Sequence, residues 1–312
     1  MTTVTAPTNR RAERGRPVVS DRARAETRLG QRLVAPAVVL MLIVTAFPML
    51  RALYLSTFDY ALTAPNDKAF IGVRNYVTAL TDPLFWQTTG VTVLYMVVTV
   101  AIELVIGFAF ALVMHRVIFA RGIVRTSILV PYGIITVVSG FAWQFAFSFQ
   151  NGFVDSWLPF VPNDYNWFGQ TGSAVVAIMV SEIWKTTPFM SLLLLAGLAQ
   201  VSEDMIEAAK VDGATWWQRM YKVILPNMRA AIMVAVLFRA LDAYRIFDNI
   251  FVMTAGAVKT ESISFLTYRQ TIEQFQLGMG SALSVLLFLS VLLVAFIIVK
   301  LFGVDLAQAR QE

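Results

Sequence analysis

Six long apolar runs separated by short polar stretches set the pattern of this chain. They cover about Leu33–Leu55, Thr88–Met114, Ile123–Phe147, Gly172–Leu198, Met228–Met253 and Gly278–Phe302. Each is roughly 20–27 residues long, enough for an α-helix to cross a hydrocarbon layer of ~30 Å. The pattern predicts an all-α membrane protein with six transmembrane helices. The first run is too long for a cleavable signal peptide and no small-residue cleavage pattern follows it, so it is expected to stay as a membrane helix. Residues 1–30 lack apolar periodicity and read as a disordered basic tail. Residues 31–305 then form the membrane domain, with a polar loop at 200–228, and 306–312 form a short tail.

The polar stretch Ser202–Pro226 differs from the other connections because it carries helix punctuation. Ser202 suits an N-cap, and Glu203 and Asp204 suit a helix N-terminus. Met205, Ile206, Ala209 and Val211 give one apolar side, and Gly213 suits a C-terminal stop. Thr215 and Gln218 then form a capping-box pattern opening a second helix with Trp216, Trp217, Met220, Tyr221 and Ile224. Pro226 marks the turn into the fifth run. On these signals alone the stretch is either an amphipathic hairpin lying on lipid or a surface offered to a partner.

Composition agrees with a membrane class: 57% of residues are hydrophobic and only 14% charged, against about 45–50% and 25% in ordinary globular domains. Lys and Arg then orient the runs. Eight arginines, Arg10 to Arg32, precede the first run. Arg116, Arg121 and Arg125 flank the second connection, and Lys210, Arg219, Lys222 and Arg229 lie in or beside the Ser202–Pro226 stretch. The opposite loops hold only Lys68, Arg74, Lys259 and Arg269. This asymmetry predicts cytoplasmic termini, with the Ser202–Pro226 stretch on the same side. The net charge of +5 thus reports topology. Next to a membrane helix, the basic N-terminus reads as a partner of anionic lipid headgroups and not of nucleic acid.

Several chemistries drop out. There is no cysteine, so disulfides and thiolate sites are excluded, and the single histidine, His115, reads as an interface residue at a helix end. No phosphate-cradling Gly-Lys-Ser/Thr loop occurs, and no internal repeat of the kind many secondary carriers show. What remains is charge at membrane depth, which is costly and faces a bundle interior or water. Glu182, Trp184 and Lys185 stand in the fourth run, before Thr186, Thr187, Pro188 and Phe189. Arg239, Asp242, Arg245 and Asp248 stand in the fifth. The last four are spaced three apart, which allows a structural ladder of pairs, a polar lining for a hydrophilic path, or both. Glu103 is alone in the second run, with no partner on its own helix.

The spacing Glu207-Ala208-Ala209, three residues, Gly213, nine residues, Val223, one residue, Leu225-Pro226 resembles the cytoplasmic loop motif of ABC importer permeases, with valine where isoleucine is usual. Phe70-x-Gly-x-x-Asn-Tyr76, Asp82 with Phe85-Trp86, and Arg125 to Pro131 are similar to the sugar-importer branch, in its first, maltose-type permease. The resemblance implies a type I importer fold in the plasma membrane. It also implies four kinds of partner: a second permease, two ATPase subunits, an extracytoplasmic sugar-binding (lipo)protein and membrane lipid. The chain would bind no cofactor and catalyse nothing itself, ATP and Mg being held by the ATPases. Glu203, Met205, Ile206, Glu207, Ala208, Ala209, Asp212 and Gly213 would couple to an ATPase. Trp184, Lys185, Thr186, Phe189, Arg239, Asp242, Ala243 and Ile246 would line the path of a sugar, a disaccharide such as trehalose. A glycerol phosphate or other small-solute permease, a stand-alone secondary carrier and a non-transporting scaffold are the alternatives. The charges on the fifth run depart from the smaller or amide-bearing residues usual there, which leaves a gate as the other role for Arg239 and Asp242.

Overall fold

The structure, a computed structural model, describes residues 21–117, 120–162 and 165–303. The chain divides into two units at Arg51 and Ala52. The first holds most of helix α1, Asp21–Leu55, which runs on through Pro36 and Pro48. Its start at Asp21 means that ten residues assigned above to the disordered tail are helical; residues 1–20 and 304–312 lie outside the described residues.

The second unit opens with a small antiparallel pair, β1 (Phe58–Asp59) and β2 (Ala69–Phe70), and a helix, α2 (Arg74–Thr81). The Phe70-to-Tyr76 motif is built into this corner. Asn75 is buried and its amide donates to the carbonyls of Ser56 and Phe58, both at 2.9 Å. The Tyr76 hydroxyl lies 2.6 Å from that of Ser56. Asp82 accepts from the Leu84 amide at 2.8 Å and caps α3 (Pro83–Arg116), whose first residue is a proline, the arrangement proline prefers.

The third apolar run is not one straight helix. It forms α4 (Arg121–Gly133) and α5 (Thr136–Ala146), bent by 88°. Pro131 stays inside α4, and the chain turns at Gly133–Ile135. After the short α6 (Val154–Trp157), α7 (Thr171–Leu198) passes unbroken through Pro188. Then follow α8 (Glu203–Val211), α9 (Trp216–Arg219), a π-helical turn at Met220–Ile224 and α10 (Leu225–Asn227). The widened turn closes where Leu225 N–H bonds the Met220 carbonyl. It sits just before Pro226, which has no N–H to continue the ordinary ladder.

The fifth run is also broken, into α11 (Arg229–Ala243) and α12 (Asp248–Met253), and it bends by 69° from the segment before it. Helix α13 (Ile263–Tyr268), capped by Ser262, and α14 (Leu277–Phe302) complete the unit. Gly278 meets the β1 backbone: a Cβ there would lie 2.1 Å from the Phe58 carbonyl oxygen, while its own N–H bonds Tyr60 O at 3.0 Å. Only glycine allows that approach. The small residues opening the sixth run therefore seat it against a strand, not only against helices. Among the described residues, four helices are long and apolar enough to cross a membrane, and each bent pair adds a span if it counts as one.

Helix α7 is central. Ile178 packs into one buried cluster with Tyr95 of α3 and Ile250 of α12, and Met190 and Leu194 into another with Ala111 of α3 and Ala235 of α11.

Candidate functional site

Helices α3, α7 and α11 each bring one charged side chain to the same buried point. Arg239 Nε donates to Glu103 Oε2 at 2.7 Å, and Nη2 to Glu103 Oε1 at 3.0 Å. Nη2 also lies 3.0 Å from the Thr186 hydroxyl and 3.4 Å from Glu182 Oε1. Nη1 pairs with Asp242. Thr186 Oγ1 stands 2.7 Å from Glu103 Oε1, and Asn249 Nδ2 donates to Glu182 Oε2 at 2.7 Å. Arg239 and Glu103 are both 0% exposed. A two-bonded arginine–carboxylate fork is the geometry in which a buried pair can offset its desolvation.

This network replaces the full ladder of pairs that the spacing allowed. Arg239 and Asp242 do pair, but no ion pair joins Asp242 to Arg245 or Arg245 to Asp248. The reason is local: α11 ends at Ala243 and the next helix starts at Asp248, so the three-residue spacing no longer sets one face. Glu103, without a partner on its own helix, finds one 136 residues away. Opposite lone charges in two apolar runs were a signal of such cross-pairing. Nothing in the local sequence pointed to Asn249.

Beside the network lies a cleft of about 480 Å³, walled by Tyr132, Thr136, Glu182, Lys185, Thr186, Asp242 and Arg245 through Asn249. The eight path residues expected from sequence divide here. Lys185, Thr186, Asp242 and Ile246 reach the cleft wall. Lys185 Nζ donates to the Ile134 carbonyl at 2.6 Å, at the α4–α5 bend. Arg239 stands behind the wall, and Ala243 belongs to the apolar core. Trp184 packs edge-on to Trp143 and lines a separate apolar hollow with Pro131 and Pro188, while Phe189 stacks on Tyr132 with ring centres 5.3 Å apart.

The coupling candidates lie together on α8 and its turn. Gly213 has φ +77°. Its N–H bonds Lys210 O at 3.0 Å and the Ala214 N–H bonds Ala209 O at 2.9 Å, a Schellman ending that needs a left-handed residue. The capping box at Thr215 and Gln218 is present in both directions. Ser202 occupies the N-cap position of α8 but its hydroxyl makes no capping bond.

Helix α8 has two faces. Glu203, Ile206, Glu207 and Lys210 turn toward a cleft of about 390 Å³ shared with His115, Arg116 and Arg219. Ile206 packs against the core and Ala209 is half-buried. Asp204, Met205, Ala208, Val211, Asp212 and Gly213 are exposed, Val211 at 88%. The single apolar side expected from sequence is therefore split: Ile206 and Ala209 face inward, Met205 and Val211 outward.

Residues 103–306 match the family model described as the binding-protein-dependent transport system inner membrane component. The Mycobacterium tuberculosis "Trehalose transport system permease protein SugA" is 50% identical over 279 residues, spanning 89% of this chain and 90% of that one. The Thermococcus litoralis "Trehalose/maltose transport system permease protein MalF" is 36% identical across 88% and 93% of the two chains. In fold, the chain is similar to a bacterial alginate ABC transporter solved with an alginate pentasaccharide-bound periplasmic protein. The TM-score is 0.76 at 20% identity, covering 89% and 95% of the chains. The chain thus belongs to the family of inner-membrane components of binding-protein-dependent transport systems and has the ABC importer permease fold. It is a multi-pass membrane protein.

Proposed function

We propose that this chain is the first, maltose-type permease of an ATP-driven sugar importer, and that its cargo is a neutral disaccharide such as trehalose. The observation that carries this is the 50% identity, over nearly the whole length of both chains, to a permease named for trehalose transport. The cleft supports it: about 480 Å³ falls within the ~300–1,000 Å³ of small-molecule sites. Its charges are mixed. Glu182, Asp242 and Asp248 on the wall face Lys185 and Arg245, with Arg239 behind. A phosphorylated cargo would call for a net positive path; hydroxyls are served by donors and acceptors together.

In this reading each bent pair is one span, giving six, with both termini and α8 cytoplasmic as the Lys and Arg distribution requires. Two ATPase subunits bind ATP and Mg, and one grips α8; the chain itself catalyses nothing. A second permease completes the path, and an extracytoplasmic binding protein delivers the sugar at the opposite face. Exposure of Met205, Ala208 and Val211 supports a grip on that face of α8, with Glu207 at its edge.

The test is uptake of labelled trehalose by the complete complex in proteoliposomes. Glu207→Ala is expected to abolish ATP-driven uptake while leaving the folded complex in normal yield, since exposed substitutions usually change stability by less than about 0.5 kcal/mol. Normal uptake by that variant removes the coupling role, and a wild-type complex that moves glycerol phosphate but no sugar overturns the cargo assignment.

A further inference from the structure

We propose that Glu103, which is not on the cleft wall, is a positioning residue for cargo recognition: through Arg239 it fixes the carboxylate of Asp242 at the cleft. The proposal rests on the reading of this cleft as the sugar path. Arg239 is 0% exposed, so its guanidinium cannot meet a cargo itself. Its planar fork is committed on one edge to Glu103, through Nε and Nη2 at 2.7 and 3.0 Å. With that edge anchored, the direction of Nη1 is set, and Nη1 holds Asp242. The Asp242 side chain is 70% exposed and lines the cleft.

Asp242 needs such a holder. It lies in the last turn of α11, which ends at Ala243, where unpaired carbonyls make the helix end negative and unfavourable for a carboxylate. Among the described residues Arg239 is its ion-pair partner within 4.0 Å. Held there, the carboxylate is an acceptor-only group with free lone pairs for sugar hydroxyls. Released, it swings away from the helix end and cargo loses a charge-assisted hydrogen bond. The relay runs across two helices, from α3 to α11, so it also ties cargo recognition to their spacing.

The experiment measures trehalose uptake by the complete reconstituted complex at saturating ATP, with the concentration of sugar-loaded binding protein varied. Glu103→Gln keeps the shape and removes the charge. Its KM for uptake is expected to rise about tenfold, the value of one charge-assisted hydrogen bond, with the maximal rate per folded complex within about twofold of wild type. Asp242→Asn is expected to raise KM similarly, and the double variant to be no worse than the worse single, because both break one relay. Arg239→Lys supplies a second route: it keeps a cation beside Glu103 but lacks the nitrogen that reaches Asp242, so it too raises KM.

Additive effects of Glu103→Gln and Asp242→Asn overturn the relay. So does a wild-type KM in a folded Glu103→Gln or Arg239→Lys complex, which would leave the pair a purely structural tie. A wild-type complex that takes up no sugar sinks the cargo reading and is told apart from these results before any variant is made.

Discussion

Glu103 and Glu207 are the same side chain in opposite circumstances. Glu103 sits at 0% exposure, and three bonds from Arg239 and Thr186 occupy its oxygens. Glu207 is exposed on α8, near Arg116 and Arg219 across a cleft but in no ion pair with either. The α3–α7–α11 network keeps its charge for itself, because a lone ion there would cost several kcal/mol. The α8 loop leaves its charge unpaired, because water solvates it cheaply. Within one permease, then, burial separates charges that hold the bundle from charges that are offered outward.

The contrast breaks most visibly at Arg239. Arg239→Met strands Glu103 and Glu182 without their cation, and removing one partner of a buried pair costs about 3–5 kcal/mol. The expected result is loss of monodisperse protein on size exclusion in detergent and a large fall in Tm. Unchanged stability would mean the network is dispensable.

Gly213→Ala probes the exposed region with a smaller effect. The left-handed φ of +77° costs an L-residue about 1–2 kcal/mol, and no neighbouring atom lies within 4 Å of the added Cβ. The penalty is therefore purely conformational and local. Amide exchange over α8 and α9 is expected to accelerate about tenfold, with α3 and α7 unaffected. Uniform acceleration would show that the loop and the bundle unfold together.

The smallest effect sharpens the comparison at a third carboxylate, Glu261, which sits between α12 and α13. It is buried, and Arg269 stands 2.9 Å away. Burial pushes its carboxyl above the ordinary range, more than Arg269 lowers it. A raised pKa in the folded state favours the protonated form, so its contribution is full below the unfolded carboxylate pKa and is lost as pH rises through the folded one. Glu261→Gln keeps a neutral side chain at every pH. Its Tm relative to wild type is expected to rise between pH 4 and pH 8, by a few degrees at most. A falling difference would mean that the pair with Arg269 outweighs burial.

Much of this was legible in the residues themselves. The fourth and sixth runs match α7 and α14 to within a residue at each end, since a long apolar helix in lipid is specified by length and hydropathy alone. Gly213, Thr215 and Gln218 act where they stand, because caps are local chemistry. Pro131 permits a kink in the third run, but the 88° size of the turn and its place after Gly133 were not legible, since the apolar run continues across it and packing against α7 and α12 decides the path. Nor was the break at Tyr244–Phe247, which rules out the full ladder that the spacing allowed. The Glu103–Arg239 bond joins positions 136 apart, and only the folded bundle reveals it. The cleft likewise needed the fold: Trp184 and Phe189 lie on the same helix as Lys185, yet they face aromatic neighbours instead of the opening.

Gly278 carries one more consequence. A Cβ added there would clash with the carbonyl of Phe58, and Asn75 stitches that same strand to the following helix. With no side chain to act as a spacer, the seam cannot slide by even a methyl group's width without a clash or an open gap. The hairpin, α2 and the head of α14 are thus expected to move as one piece. Whatever docks on that hairpin would be pulling on the last membrane helix directly, as a handle pulls on a lever.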